Sequence, residues 1–134
     1  MAGLTIGIVE DVPEMALWMQ RLLLATGNPQ SGAPQIGRVW VAATVAEARA
    51  ELLKHRPDLL LLDRVLPGES GLVLVPELEI QGVAWAVLAV DSPDSGPEMS
   101  PENGPKRQTV IKPGGGEDPS GGRFVESVGK LLAP

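Results

Sequence analysis

Pro57–Leu72 reads PDLLLLDRVLPGESGL, and its first half decides the fold. Asp58 to Leu62 is an unbroken apolar run behind one aspartate, closed by Asp63. A half-exposed strand alternates apolar and polar residues, whereas a run without alternation is covered on both faces, as in a parallel sheet. The second half carries Pro67, Gly68 and Gly71 and reads as a turn-rich segment. A helix should follow it to about Gln81, with Pro76 either kinking it or delaying its start.

The same grammar extends in both directions. Leu4 to Val9 is a short Ile- and Val-rich strand ending at Glu10-Asp11. Pro13 suits the first turn of a helix, and Met15, Trp18, Leu22 and Ala25 recur at helical spacing, flanked by Met19 and Leu23, toward an end near Gly27. Arg38 to Ala42 is a second strand. Thr44 and Glu47 have the spacing of a capping box, opening a helix with Val45, Ala48 and Leu52 inward that stops before Pro57. Beyond the quoted stretch, Val83 to Val90 is a fourth strand ending at Asp91, and Gln108 to Ile111 a short fifth ending at Lys112-Pro113. Arg123 to Leu132 closes the chain as a helix with Phe124, Val128 and Leu131 or Leu132 inward. Strands alternating with helices, joined by right-handed crossovers, predict an α/β fold: an open doubly wound five-stranded parallel sheet in the flavodoxin-like order 2-1-3-4-5.

Composition bounds what the domain does. A chain of 134 residues fits a single domain over 1–134, large enough to need no staple. The absence of cysteine excludes disulfides and thiolate chemistry, and a lone histidine excludes multi-histidine metal motifs. A net charge of -6 argues against nucleic-acid binding. The longest clean apolar stretch, Val83 to Val90, falls far short of the ~20 residues a spanning helix needs. With no secretory signal visible, a cytoplasmic location and no membrane association are expected. The unusual feature is the 16 glycines and 13 prolines, nearly half of them between 91 and 122. Segment 91–107 carries Pro93, Pro97, Pro101 and Pro105, which leaves the fourth helix of such a fold missing or degenerate.

Doubly wound sheets place their sites at the carboxyl ends of the strands. Those ends carry Glu10 and Asp11, Asp63, Asp91 and Lys112. Taken singly, each is an ordinary solvated loop residue. In the order 2-1-3-4-5 the first and third strands are neighbours, so three carboxylates meet. Two like charges roughly 5 Å apart repel by about 3 kcal/mol at an effective dielectric near 20. A divalent cation relieves that repulsion, and an all-oxygen ligand set favours Mg²⁺ or Mn²⁺. A carboxylate nucleophile, a divalent metal and a lysine at one point suit phosphoryl transfer to an aspartate.

The constellation resembles the receiver domain of two-component response regulators. IVED (Ile8–Asp11), PDLLLLDRVLPGESGL and IKP (Ile111–Pro113) carry the likeness, with Asp63, Pro67 and Gly71 at the family's spacing. The resemblance implies that Asp63 is the phosphoacceptor, that Glu10, Asp11, Asp63 and the Val65 carbonyl hold the metal, and that Lys112 contacts the phosphoryl group. It implies a phosphohistidine donor on a sensor histidine kinase or phosphotransfer protein, and leaves homodimerisation open. Two positions depart from the family. Its hydroxyl residue at the end of the fourth strand aligns with Asp91, with Ser92 reachable only by a one-residue shift that turns the side chain away. Its switch aromatic three residues before the lysine is Thr109 here.

The expected function is therefore a Mg²⁺-dependent phosphoacceptor signalling domain with an altered output switch, not a turnover enzyme. The alternative is a pseudo-receiver, a phosphorylation-independent interaction or dimerisation module. Phosphatases of haloacid-dehalogenase type want a second acid where Val65 stands, and flavodoxins want a hydroxyl-rich loop where Glu10-Asp11-Val12-Pro13 stands. Single residues outside the pocket are read plainly. His55 should be solvated, Trp18, Trp40 and Trp85 should pack, and Arg64 is either an exposed loop residue or a cation reaching Glu10 or Asp91.

Overall fold

The computed structural model describes residues 3–25, 35–89, 109–114 and 120–132. The elements run β1 (Leu4–Val9), α1 (Pro13–Leu24), β2 (Ile36–Ala42), α2 (Val45–Lys54) and β3 (Leu59–Asp63). Then come a small hairpin of β4 (Val65–Leu66) and β5 (Glu69–Ser70), a 3-10 turn over Gly71–Leu74, α3 (Val75–Gln81), β6 (Trp85–Ala89), β7 (Thr109–Ile111) and α4 (Gly122–Leu132). The main sheet has five strands in the order β2-β1-β3-β6-β7, all pairs parallel. In terms of the five main strands this is the expected 2-1-3-4-5, a doubly wound sheet with four α-helices among the described residues. The segment 91–107, where the fourth helix is expected to be missing or degenerate, lies outside the described residues, as do Asp91 and Ser92.

Every residue of β3 is buried, which is why its sequence shows no alternation. Leu59 and Leu61 pack into one core layer with Met19 and Leu23 of α1 and Phe124 and Val128 of α4. Leu60 and Leu62 pack into the other with Ala48 and Leu52 of α2 and Leu74 and Leu78. Each such leucine, fully buried, contributes about 1.5–3 kcal/mol of transfer free energy. Gly7 lets the layers close: a Cβ there would lie 2.5 Å from the Trp40 ring and 2.7 Å from Leu60 Cδ1. Trp40 is buried over that glycine and donates its indole N–H to the His55 carbonyl at 2.9 Å.

Several local expectations are corrected. The inward face of α1 is Ala16, Met19 and Leu23, with Met15 and Leu22 only partly buried and Ala25 exposed. The apolar stripe is wide enough to satisfy two rotational settings, and packing against β1 and β2 selects the one centred on Met19. Pro76 delays α3 without kinking it: the 3-10 turn precedes the helix, and the proline sits in its first two positions, where no N–H is needed. His55 is half-buried, and its ring contacts the Arg38 guanidinium, with Nε2 at 3.0 Å. Half of the capping box forms as expected, Thr44 Oγ1 accepting the Glu47 N–H at 3.1 Å, while Glu47 Oε1 accepts the Ala43 N–H at 3.2 Å in place of the Thr44 N–H. No described helix is long and apolar enough to cross a membrane.

Candidate functional site

The site is built at the carboxyl ends of β1, β3 and β7. Glu10 follows β1 directly, and its N–H is held by the Ala42 carbonyl of β2 at 2.9 Å. Its carboxylate is buried, 1% exposed, a costly location for a charge unless it is paired. Oε2 accepts the Val12 N–H at 3.1 Å. Asp63, the last residue of β3, is 8% exposed and accepts the Val65 N–H on Oδ1 at 3.1 Å. Asp11 stands half-buried beside them. Glu10, Asp11 and Asp63 each present a carboxylate oxygen, all within 4.8 Å of one another.

Lys112 enters from the end of β7, its N–H anchored on the Ala89 carbonyl at 2.8 Å. Its ammonium lies 3.0 Å from Asp63 Oδ2, a hydrogen bond, and 2.7 Å from Glu10 Oε1. The second contact is an ion pair outside hydrogen-bond geometry, so Oε1 has a counter-charge but is a buried oxygen with no hydrogen bond. Burial alone would lower the lysine pKa. The Glu10 and Asp63 carboxylates outweigh it and hold Lys112 above the ordinary lysine value.

Three carboxylates converge on one ammonium here, an excess of negative charge that a divalent cation would offset. The buried Glu10 carboxylate and the all-carboxylate donor set fit a hard cation such as Mg²⁺. Glu10, Asp11 and Asp63 would hold it.

The structure thus brings together Glu10, Asp11, Asp63 and Lys112. Val65 lies two residues past Asp63 on β4, its side chain 65% exposed, with its N–H turned onto Asp63. Thr109 is half-buried at the start of β7. Arg64 is half-buried, and its carbonyl accepts the Gly71 N–H at 3.1 Å. The Lys112–Pro113 peptide is trans. The spacing to Gly71 has a steric cause: a Cβ at this position would lie 2.0 Å from the Asp63 carbonyl oxygen. Sequence reasoning missed Glu69, whose Oε2 accepts the Val45 N–H at the start of α2 at 3.1 Å. No sequence signal pairs residues 24 apart across a turn.

No family model and no curated protein matches the chain. Solved structures do. Over its whole length the chain is 23% identical, at a TM-score of 0.73, to the full matched chain from the crystal structure of the P1 domain of CheA3 in complex with CheY6 from R. sphaeroides. It is 23% identical, at a TM-score of 0.64, to the REC domain of the Erythrobacter litoralis PhyR response regulator solved by NMR, covering 96% of that chain. Against the PhyR stress response regulator the identity is 21% and the TM-score 0.62, and the chain spans only 47% of that protein's length. At these identities the likeness is one of fold.

Proposed function

We propose, from the premise that this chain has the receiver-domain fold of response regulators, that it is a signalling domain accepting a phosphoryl group on Asp63. The observation that carries the proposal is the convergence of Lys112 on Asp63 and Glu10 within a pocket of three carboxylates. An Asp63 carboxylate oxygen would attack phosphorus as the bond from phosphorus to the donor's imidazole nitrogen breaks, and the imidazole leaves. Lys112, already 3.0 Å from Asp63 Oδ2, supplies positive charge to the transferring group. Glu10, Asp11 and Asp63, with the Val65 carbonyl as a further ligand, would hold Mg²⁺ or Mn²⁺, which would supply positive charge for the phosphoryl oxygens. Asp91 and Ser92 are the proposed further contacts to that group. The donor class is a phosphohistidine on a histidine kinase or phosphotransfer domain in the cytoplasm. Among the matched structures, the complex of the P1 domain of CheA3 with CheY6 supports that choice.

The test is a titration of the chain with Mg²⁺ and beryllofluoride, an analogue of the phosphoryl group, followed by amide NMR. Shifts centred on Asp63 and Lys112 that vanish in Asp63→Asn are expected. An unchanged spectrum at saturation sinks the proposal. A second reading, a phosphorylation-independent interaction module, is favoured by Thr109, which places no aromatic ring three residues before Lys112. On that reading Asp63→Asn leaves partner affinity unchanged.

A further inference from the structure

We infer that Glu69 is a positioning residue that couples the carboxylate pocket to the start of α2, so that what binds at Asp63 is felt at the α2 N-terminus. The inference rests on the phosphoacceptor reading above and adds a route by which occupancy leaves the pocket.

A closed ring of contacts carries it. The Val65 N–H donates to Asp63 Oδ1 at 3.1 Å. Val65 is paired with Ser70, and Leu66 with Glu69, across the β4–β5 hairpin. The Glu69 carboxylate leaves the hairpin and accepts the Val45 N–H of α2 at 3.1 Å. Val45 begins three residues after Ala42, whose carbonyl holds the Glu10 N–H at 2.9 Å. Between Glu10 and Asp63 the ring is closed by the pairing of β1 with β3, Val9 opposite Leu62. Both buried carboxylates of the pocket are therefore tied to the junction between β2 and α2, Glu10 through backbone and Asp63 through Glu69.

Glu69 is more than a helix cap. α2 already has a local one, because Thr44 Oγ1 accepts the Glu47 N–H and Glu47 Oε1 accepts the Ala43 N–H. Glu69 takes the Val45 N–H that this local pair leaves over, and as a carboxylate at a helix start it makes a charge-assisted bond. The hairpin itself has two-residue strands and a single buried apolar side chain, Leu66. Its seat depends on that leucine, on the contact of Gly71 with the Asp63 carbonyl, and on Glu69.

The state of the pocket changes the first link. An ionised carboxylate holds a backbone N–H more tightly than a neutral acceptor does. Phosphorylation removes that formal charge from the Asp63 carboxylate, and a cation on Asp63 draws its lone-pair density away. Either change weakens the grip on the Val65 N–H, and such a differential contact is what shifts a conformational equilibrium. The hairpin then reseats and carries Glu69 with it. By linkage the coupling runs both ways, so releasing Val45 from Glu69 alters affinity at the pocket.

The experiment uses the full chain, ¹⁵N-labelled, titrated with Mg²⁺ alone and then with Mg²⁺ plus beryllofluoride. In the wild type the Val65 and Val45 amides shift with one midpoint. In Glu69→Ala the Val65 shift persists, the ligand-induced Val45 shift falls by at least half, and the Mg²⁺ midpoint moves by about fivefold, the low end of typical coupling. Glu69→Gln, which keeps an acceptor oxygen, restores most of both. Thr44→Ala uncaps the same helix without touching the hairpin and leaves the Mg²⁺ midpoint at its wild-type value. The inference is overturned if Val45 responds in Glu69→Ala as it does in the wild type, or if Thr44→Ala moves the midpoint as far as Glu69→Ala. A wild type in which Val65 responds and Val45 does not overturns the coupling and leaves the phosphoacceptor reading standing. A wild type in which neither responds at saturation overturns both.

Discussion

Replacing Gly71 with alanine places a methyl carbon 2.0 Å from the Asp63 carbonyl oxygen and 3.0 Å from Leu62 Cδ1. Real Cβ atoms essentially never come closer than 3.0 Å, so the two segments must separate by about 1 Å. A rotamer change cannot supply that movement, because the obstacle is backbone. Asp63 ends β3, opposite Leu88 of β6, in a strand buried along its length. Gly71 itself does not have a positive φ, so the substitution carries no conformational penalty. On backbone entropy alone it would stabilise the chain by about 0.4–1 kcal/mol. Overpacking of about 1–3 kcal/mol opposes that gain. Because the clash is with backbone, the upper part of this range applies, and a net loss of about 2 kcal/mol is expected. For a domain of this length that lowers the melting temperature by roughly 6–10 °C. Gly129 is the control: it lies inside α4 with nothing within 4 Å of an added Cβ. There the same substitution should stabilise by about 0.5–1 kcal/mol. Thermal unfolding followed by far-ultraviolet circular dichroism gives both values. A Gly71→Ala protein as stable as the wild type would refute the steric account of this glycine.

Three further outcomes are expected. Lys112→Met leaves the buried Glu10 carboxylate without its counter-charge and should cost about 3–5 kcal/mol near neutral pH. The folded-state pKa of Lys112 is raised, so its contribution is complete below about 10.4 and is lost as pH rises through the folded value; the gap between wild type and variant in urea unfolding should therefore shrink at strongly alkaline pH, and a widening gap counts against the ion pairing. Thr44→Ala removes the hydroxyl that accepts the Glu47 N–H and should lower the urea-derived stability by about 1 kcal/mol. Arg49→Ala breaks the two-pronged pairing with Glu77 that joins α2 to α3, but both side chains are well exposed, so the loss should stay below about 1 kcal/mol and fade with added salt.

Legibility varied with how local the deciding interaction is. The four leucines of β3 announced a strand buried on both faces, since alternate residues of the one strand face the two core layers. The Thr44–Glu47 cap was legible because its partners lie three residues apart. The rotational setting of α1 was not, because Met15, Trp18 and Leu22 compete with Ala16, Met19 and Leu23, and only packing against the sheet chooses between them. His55 read as solvated because Arg38, which meets it, lies 17 residues away on β2. Glu69 was passed over for the same reason.

For the candidate site, the residue types and their places at strand ends are properties of the chain itself. Glu10-Asp11, Asp63 and Lys112 each close an apolar run, and the alternation of strands and helices makes those runs strands of one parallel sheet. Only the tertiary structure decides how their charge is shared. Lys112 lies 2.7 Å from Glu10 Oε1 and 3.0 Å from Asp63 Oδ2, and Gly71 is pressed against the backbone of Asp63. Periodicity and capping act over a few residues and are written along the chain. Ion pairing in a buried pocket depends on distances of an ångström between segments 50 or 100 residues apart, and only packing sets those.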